Sequence, residues 1–122
     1  MGNTYTIQQV AKISGLSAHT LRYYEKIGLL HSISRNSNGY RQFTQEDIAW
    51  IEFLNRLRAT GMPVKLMLEF AYLRSKGPST TADRRQLLEK HRSEVLQLIK
   101  ELKQNLAVIE NKIAHYKRLE EK

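Results

Sequence analysis

The chain has 122 residues, a formal net charge of +8 and no cysteine. This length fits one small globular head with an appended element, because a chain this short cannot build two cores of ordinary size. The absence of cysteine excludes disulfides, thiolate metal sites and a cysteine nucleophile. We find neither a secretory signal pattern nor a run of roughly 18 apolar residues, so we expect a cytoplasmic protein.

Positive charge is concentrated in the first third of the chain. Residues 1–44 contain five cations and a single acid, Glu25, which gives this segment a net charge of +4. Residues 45–122 mix both signs. A basic segment of this kind favours a polyanionic partner, although charge alone does not separate nucleic acid from an anionic membrane.

The first predicted helix begins after Thr6, which forms a Thr-x-x-Gln capping box with Gln9. Apolar residues then follow at helical spacing: Ile7, Val10, Ala11 and Ile13. The segment Ser14-Gly15-Leu16 interrupts this pattern. The sequence therefore predicts a short helix that ends in a tight turn.

Ser17 is placed to cap a second helix over residues 18–27. Its spacing turns Leu21 and Tyr24 inward and leaves Arg22 and Tyr23 on the opposite face. Two short helices joined by a glycine-containing turn are typical of a helix-turn-helix.

A hairpin and two more helices are predicted next. Asn38-Gly39 between short β-prone runs indicates a hairpin, with Phe43 on an apolar face like Tyr24. Thr44 and Asp47 begin a third helix, whose apolar stripe continues until Gly61. Pro63 suits the first turn of a fourth helix, which ends near residue 74. Residues 77–80 then break the chain, so we predict domains at 1–76 and 77–122.

The C-terminal segment has the spacing of a coiled coil. Core positions recur alternately every four and three residues over four heptads, with one polar exception. The predicted dimerisation positions are Leu88, Arg92, Val95, Ile99, Leu102, Leu106, Ile109, Ile113 and Tyr116. A second copy is the natural cover for this seam. In an antiparallel pairing centred near residues 100–104, Leu102 lies close to the dyad and Arg92 meets the partner's Tyr116.

Three segments together resemble the MerR family of bacterial transcription regulators. They are Thr6-Ile7-Gln8-Gln9-Val10-Ala11, Thr20-Leu21-Arg22-Tyr23-Tyr24-Glu25-Lys26-Ile27-Gly28-Leu29-Leu30 and Asn38-Gly39-Tyr40-Arg41. The resemblance implies a mainly α fold: a winged helix-turn-helix head, a helix pair and a long antiparallel coiled-coil helix. It also implies a homodimer that bends and untwists a palindromic promoter operator in double-stranded DNA, so that RNA polymerase can engage it.

The segment from Asp47 to Phe53, followed by Arg58 and Gly61-Met62-Pro63, resembles the short branch with aldehyde- and thiol-stress regulators. That branch often carries a reactive cysteine in the helix after the wing, where this chain has Arg56 and no cysteine. We therefore exclude thiol sensing and cysteine-based metal sensing.

Within this resemblance, the residues expected to contact DNA lie on the second helix, around the hairpin and beside the turn between helices three and four. They are Ser17, His19, Thr20, Arg22, Tyr23, Arg35, Tyr40, Arg41, Arg58 and Lys65. Arginine on a recognition helix forms bidentate bonds with guanine, and hydroxyls in a first helical turn bind phosphate. The plain alternatives are a solvated surface for the charged residues and a simple cap for Ser17.

An effector, if one exists, binds noncovalently in a cysteine-free chain. The expected hinge is the fourth helix and the break at Gly77-Pro78, where Phe70, Tyr72 and Leu73 are available to line a small apolar pocket. Core packing is the alternative for these side chains. We expect no cofactor and no metal site, since the four histidines lack ligand spacing, and no enzyme. An architectural DNA-binding protein and a coiled-coil adaptor remain the rival functions.

Overall fold

A computed structural model describes residues 3–122 as a mainly helical chain with one small antiparallel sheet. Its elements are α1 Ile7–Ser14, α2 Ala18–Ile27, β1 Ser34–Arg35, β2 Arg41–Gln42, α3 Gln45–Ala59, α4 Val64–Ser75, a 3-10 turn at Gly77–Thr80 and α5 Thr81–Glu120. This element order confirms the predicted fold class. Residues up to Arg85 form one compact unit, which we call the head, and Gln86–Lys122 forms the second.

The helix-turn-helix is fixed by local hydrogen bonds. The Thr6 hydroxyl accepts from the Gln9 amide at 3.2 Å, and the Gln9 side chain accepts from the Thr6 amide at 2.8 Å. Gly15 ends α1 with a φ of 77°. This left-handed conformation is unfavourable for residues that carry a Cβ atom, and glycine adopts it readily. Ser17 then accepts from the Thr20 amide and starts α2. These caps confirm the predicted boundaries of both helices.

The wing, residues 34–42, is a hairpin with Ser34 opposite Gln42 and Arg35 opposite Arg41. Its turn runs from Asn36 to Gly39, whose amide donates to the Asn36 carbonyl at 2.9 Å. Gly39 takes a φ of 85°, and it is the one turn residue with a positive φ. The Asn-Gly pair therefore ends a longer turn with a left-handed glycine, rather than forming the centre of a two-residue turn.

The head core is built around α3. Thr44 and Asp47 form the predicted capping box, and the stripe of the helix is buried at Ile48, Ile51, Leu54 and Leu57. Each such aliphatic side chain contributes about 1.5 to 3 kcal/mol when it is removed from water. Tyr24 and Phe43 are also buried, as predicted. The Trp50 indole Nε1 donates to the Leu29 carbonyl at 2.8 Å and ties α3 to the segment before the wing.

The junction between α4 and α5 packs as part of the head. The Thr80 hydroxyl lies 2.6 Å from the Leu73 carbonyl oxygen, to which it donates. Arg84 Nε donates to the Thr80 oxygen at 3.1 Å, and Arg84 Nη2 donates to the Gly77 carbonyl at 3.2 Å. Because these bonds join the 3-10 turn to α4, the head extends beyond the domain boundary predicted after residue 76.

The long helix α5 has 40 residues and thus a length of about 60 Å. Along its predicted seam, the side chains of Ile99, Leu102, Leu106, Ile109, Ile113 and Tyr116 are 42–66% exposed in the single chain. The helix therefore presents a long apolar stripe that the chain itself leaves uncovered. Within residues 3–122, no helix combines the length and the apolar character needed to cross a membrane.

Candidate nucleic-acid interface

The outward face of α2 carries the two residues predicted to enter a major groove. Leu21 and Tyr24 are buried and anchor the helix on the core, which turns Arg22 and Tyr23 to solvent. Tyr23 is 53% exposed. Arg22 makes no ion pair or hydrogen bond with the described residues. Its guanidinium is therefore available to an external acceptor.

The first turn of α2 is a cap as well as a candidate phosphate site. The Ser17 hydroxyl accepts from the Thr20 amide and donates to the Thr20 hydroxyl, both at 3.0 Å. His19 is exposed beside them. The capping function of Ser17 is thus satisfied within the chain, whereas His19 and the exposed edge of this turn remain accessible.

Glu25 organises the cations between α2 and the wing. Its Oε1 accepts from Arg41 Nε at 2.7 Å and lies 3.8 Å from Arg35 Nη2. Arg35 Nη1 also donates to the Gly39 carbonyl at 2.9 Å. Arg41 is about one fifth exposed at its side chain, so this pair is partly shielded from solvent. The single acid of the first third of the chain therefore fixes the wing against α2.

A depression with a volume of about 350 Å³ brings the main candidate residues together. Arg22 enters it from α2, while Tyr40 and Arg41 enter it from the wing. The N-terminal turn of α1 forms another wall. Tyr40 is 71% exposed. Polar residues that the sequence did not single out also line it, and they are Thr4, Gln8, Asn36 and Gln42. Gln8 belongs to the first quoted motif, and the other three lie within two positions of a motif residue, which is the only signal that could have indicated them.

Arg58 and Lys65 lie apart from this depression. Arg58 Nη1 donates to the Tyr24 hydroxyl at 2.9 Å, which satisfies a buried phenol and joins α3 to α2. Lys65 is exposed in the first turn of α4. Arg58 thus has a structural contact in addition to its remaining exposed surface, and Lys65 is an exposed cation without an ion pair among residues 3–122.

The three residues predicted to line an effector pocket do not converge. Phe70 is buried against Trp50, with ring centroids 5.6 Å apart and an interplanar angle of 13°. Tyr72 is 53% exposed and lies under the Lys76 ammonium at 4.9 Å. Leu73 is half-buried and accepts from Thr80 through its carbonyl. Phe70 borders an apolar depression whose other walls come from different residues.

Histidine and carboxylate side chains are scattered in the described chain. Among residues 3–122, no three of them lie close enough together to hold a metal ion. The exposed functional groups on α2 and the wing are cations, hydroxyls and aromatic rings.

Comparisons with known proteins agree with this geometry. Residues 5–67 match the family profile described as MerR HTH family regulatory protein. An HTH-type transcriptional regulator of Haemophilus influenzae is 39% identical over 115 residues, which are 94% of this chain and 85% of that protein. The regulator AdhR of Bacillus subtilis is 38% identical over 91 residues, which are 75% of this chain and 65% of AdhR.

A solved structure gives the same result in three dimensions. HiNmlR, described as a MerR family regulator lacking the sensor domain and bound to promoter DNA, superposes with a TM-score of 0.86 and 39% identity. The match covers 94% of this chain and 91% of HiNmlR. The profile, the sequence relatives and the structural neighbour converge on one assignment: the chain belongs to the MerR family of helix-turn-helix transcription regulators.

Proposed function

We propose that this regulator acts as a homodimer on a palindromic promoter operator, which it bends and untwists so that RNA polymerase can engage the promoter. The observation that carries the proposal is the convergence of Arg22, Tyr40 and Arg41 around one depression on the basic head. Its activity is binding rather than catalysis, and it takes place where the bacterial chromosome lies, in the cytoplasm.

The proposed DNA contacts follow from exposure and charge. Arg22 and Tyr23 project from α2 into the major groove, where arginine forms bidentate bonds with guanine. Arg35, Tyr40 and Arg41 contact phosphates or the adjacent minor groove from the wing. Further phosphate contacts come from the first turn of α2 and from the turn between α3 and α4, through Ser17, His19, Thr20, Arg58 and Lys65.

The proposed dimer rests on the uncovered stripe of α5. A helix with exposed apolar residues at alternating spacings of four and three buries them when it pairs with a second helix of the same pattern. The resulting homodimer carries two recognition helices, which is the symmetry that a palindromic operator requires. The seam runs from Leu88 to Tyr116, with Arg92 as its polar position.

The relative HiNmlR supports the DNA part of this proposal, because its structure is described as a complex with promoter DNA. An architectural DNA-binding protein binds with an affinity that depends little on sequence, so a preference for a defined inverted repeat would separate a promoter regulator from it. An adaptor whose head binds protein would show no salt-dependent binding to DNA at all.

The test is selection from a random duplex library followed by footprinting of the selected site. We expect an inverted repeat protected on both half-sites, and sedimentation should show two chains on each duplex. A permuted-site gel assay should show a bend centred on the repeat. Selection that enriches no sequence, or one chain on each duplex, would contradict the proposal.

A further inference from the structure

The depression that Phe70 borders lies between α3, α4 and the first turn of α5, and we call it the α3/α4 face. Phe53 is 36% exposed there, beside the buried rings of Trp50 and Phe70. Arg74 and Arg84 border these rings. The face therefore combines a partly exposed aromatic surface with two cations, and it shares no residue with the proposed DNA-contacting surface.

The two arginines have no acidic partner within a single chain. The Arg74 guanidinium carbon lies 4.4 Å from the Trp50 ring centroid, and Arg84 donates to neutral oxygens of the junction through Nε and Nη2. Among residues 3–122, neither arginine has a carboxylate within 4 Å. Glu46 is the single acid of the face, which leaves a net charge of +1. Such a surface favours an acidic occupant.

An antiparallel pairing of α5 brings an acidic segment of a second copy to this face. Arg84 lies eighteen residues before Leu102, which is near the expected dyad, and Glu120 lies eighteen residues after it. A two-fold axis at Leu102 therefore sets Glu120 of one chain opposite Arg84 of the other. Arg84 lies four residues before the seam position Leu88, and Glu120 lies four after the seam position Tyr116. Both residues are thus on the side of α5 that faces the partner.

The last residues of the chain, 117–122, complement the face in charge, and we call them the tail. Glu120 and Glu121 are its acids, and Lys117 lies three and four positions before them, on the same side of the helix. The other two cations of the tail lie two positions from Glu120 and therefore point away from it. Leu119 is 48% exposed and supplies an apolar side chain for the aromatic rings. The tail offers two acids and one cation where the face has two cations and one acid.

We propose that, in the homodimer, the tail of each chain docks on the α3/α4 face of its partner. Glu120 and Glu121 pair with the partner's Arg84 and Arg74, and Leu119 packs on the partner's Phe53. The contact forms twice, once at each end of the coiled coil, because a two-fold interface uses the same two surfaces in both chains. This inference rests on the dimer of the proposed function, and it adds a contact between each end of the coiled coil and the opposite head.

A charge-swap experiment tests the contact. One variant, R74E/R84E, has an acidic face, and the other, E120K/E121K, has a basic tail. Each variant alone places like charges at both ends of its homodimer, so its dimer dissociation constant should rise at least about tenfold. In a mixed dimer of the two variants, each face meets a tail of opposite charge. Sedimentation of chains with distinct fluorescent labels should therefore give a mixed-dimer constant within about threefold of the unmodified value.

The matched control is E52K/E69K, which makes the same change of net charge as E120K/E121K at two exposed acids of the head outside the face. It should alter the dimer dissociation constant less than about twofold. Because Arg84 bonds the junction, R74E alone replaces the double variant if that chain unfolds. R74E should then associate more tightly with the basic-tail variant than either variant does with itself.

Trp50 reports docking directly, because it is the sole tryptophan and lies in the face. The measurement is acrylamide quenching at a concentration at which light scattering shows the E120K/E121K dimer intact. We expect stronger quenching than in the unmodified dimer, since a repelled tail no longer covers the rings. The E52K/E69K dimer should be quenched like the unmodified one.

Three results would overturn the docking and leave the homodimer in place. They are a dissociation constant of either charge-reversed variant equal to that of the control, a mixed dimer no tighter than the variant homodimers, and unchanged quenching of Trp50. An unmodified chain that is monomeric at micromolar concentration would overturn the dimer and the docking together. Operator affinity is measured separately, and a rescued mixed dimer from a chain that binds no operator would overturn the proposed DNA-binding function alone.

Discussion

At the scale of single residues, Glu25 determines how the basic surface is presented. Its carboxylate contacts Arg41 closely and Arg35 at longer range, while Arg22 has no partner in the described chain. A guanidinium that is already held in place loses less side-chain entropy when it binds a phosphate. The wing cations are therefore positioned but partly neutralised, whereas Arg22 is exposed and has no contact among residues 3–122 that holds it in place.

Replacing Arg22 with alanine should reduce operator affinity by about 1 to 3 kcal/mol and relax the base preference at one position of each half-site. The reason is that a base-reading arginine contributes to affinity for the correct base far more than for others. A gel-shift titration on the operator and on single-base variants measures both effects. An equal loss on all sequences would assign Arg22 to the phosphate backbone instead.

Substitutions of Arg41 and Glu25 should change DNA affinity in opposite directions. Arg41→Ala should weaken binding to good and poor sites about equally and reduce the salt slope by about 1. Glu25→Gln removes a negative charge that competes with phosphate, so binding to random duplex should tighten and the salt slope should rise. Affinities measured from low to moderate salt test this. Weaker binding by Glu25→Gln would show that positioning of the wing outweighs charge.

At the scale of elements, the helices could be predicted because their determinants are local. Thr6, Ser17 and Thr44 cap helices through residues three positions away, and the apolar stripe of α3 has one unbroken period. The contact of Glu25 with Arg41 spans sixteen positions and depends on how the wing folds back on α2. No periodicity or propensity in the sequence contains that information.

The two depressions of the head also show that contacts between distant residues are hard to predict from sequence. Arg22 and Tyr40 share one depression, and their motifs indicated a common DNA-binding surface. The depression that Phe70 borders combines Trp50, Phe70 and Arg84, which come from three elements and only meet after folding. Phe70 was predicted to border a pocket, but its sequence neighbours Tyr72 and Leu73 proved to be poor guides to the other walls.

The exposed stripe of α5 leads to a prediction for Leu102, which is 66% exposed in the single chain and lies near the expected dyad. Leu102→Lys should raise the dimer dissociation constant at least about 100-fold, because two ammonium groups would be buried side by side. Light scattering at micromolar concentration should then give the monomer mass of 14.2 kDa.

Val108→Lys is the matched control, since Val108 is equally exposed but lies off the seam. It should leave the dimer intact. If the unmodified chain is already monomeric at this concentration, or if both variants dissociate the dimer alike, the seam is not the dimer interface.

At the scale of the whole molecule, the absence of cysteine sets the response to chemical stress. Transcription from the cognate promoter in a purified system should be insensitive to thiol oxidants and to alkylating aldehydes acting on the regulator. The measurement compares run-off transcription with treated and untreated regulator. Polymerase treated alone serves as the control, and a response that requires the treated regulator would mean that another side chain senses the reagent.

The bonds of Thr80 and Arg84 have a consequence for local unfolding. Gly77 and Pro78 mark a break in the sequence, yet opening the chain there requires the loss of hydrogen bonds to Leu73, Gly77 and Thr80 together. Amide hydrogens around the junction should therefore exchange with solvent only when a larger part of the head unfolds. The end of α4 and the start of α5 then belong to one cooperative folding unit, so strain at either helix is carried through the junction instead of being dissipated there.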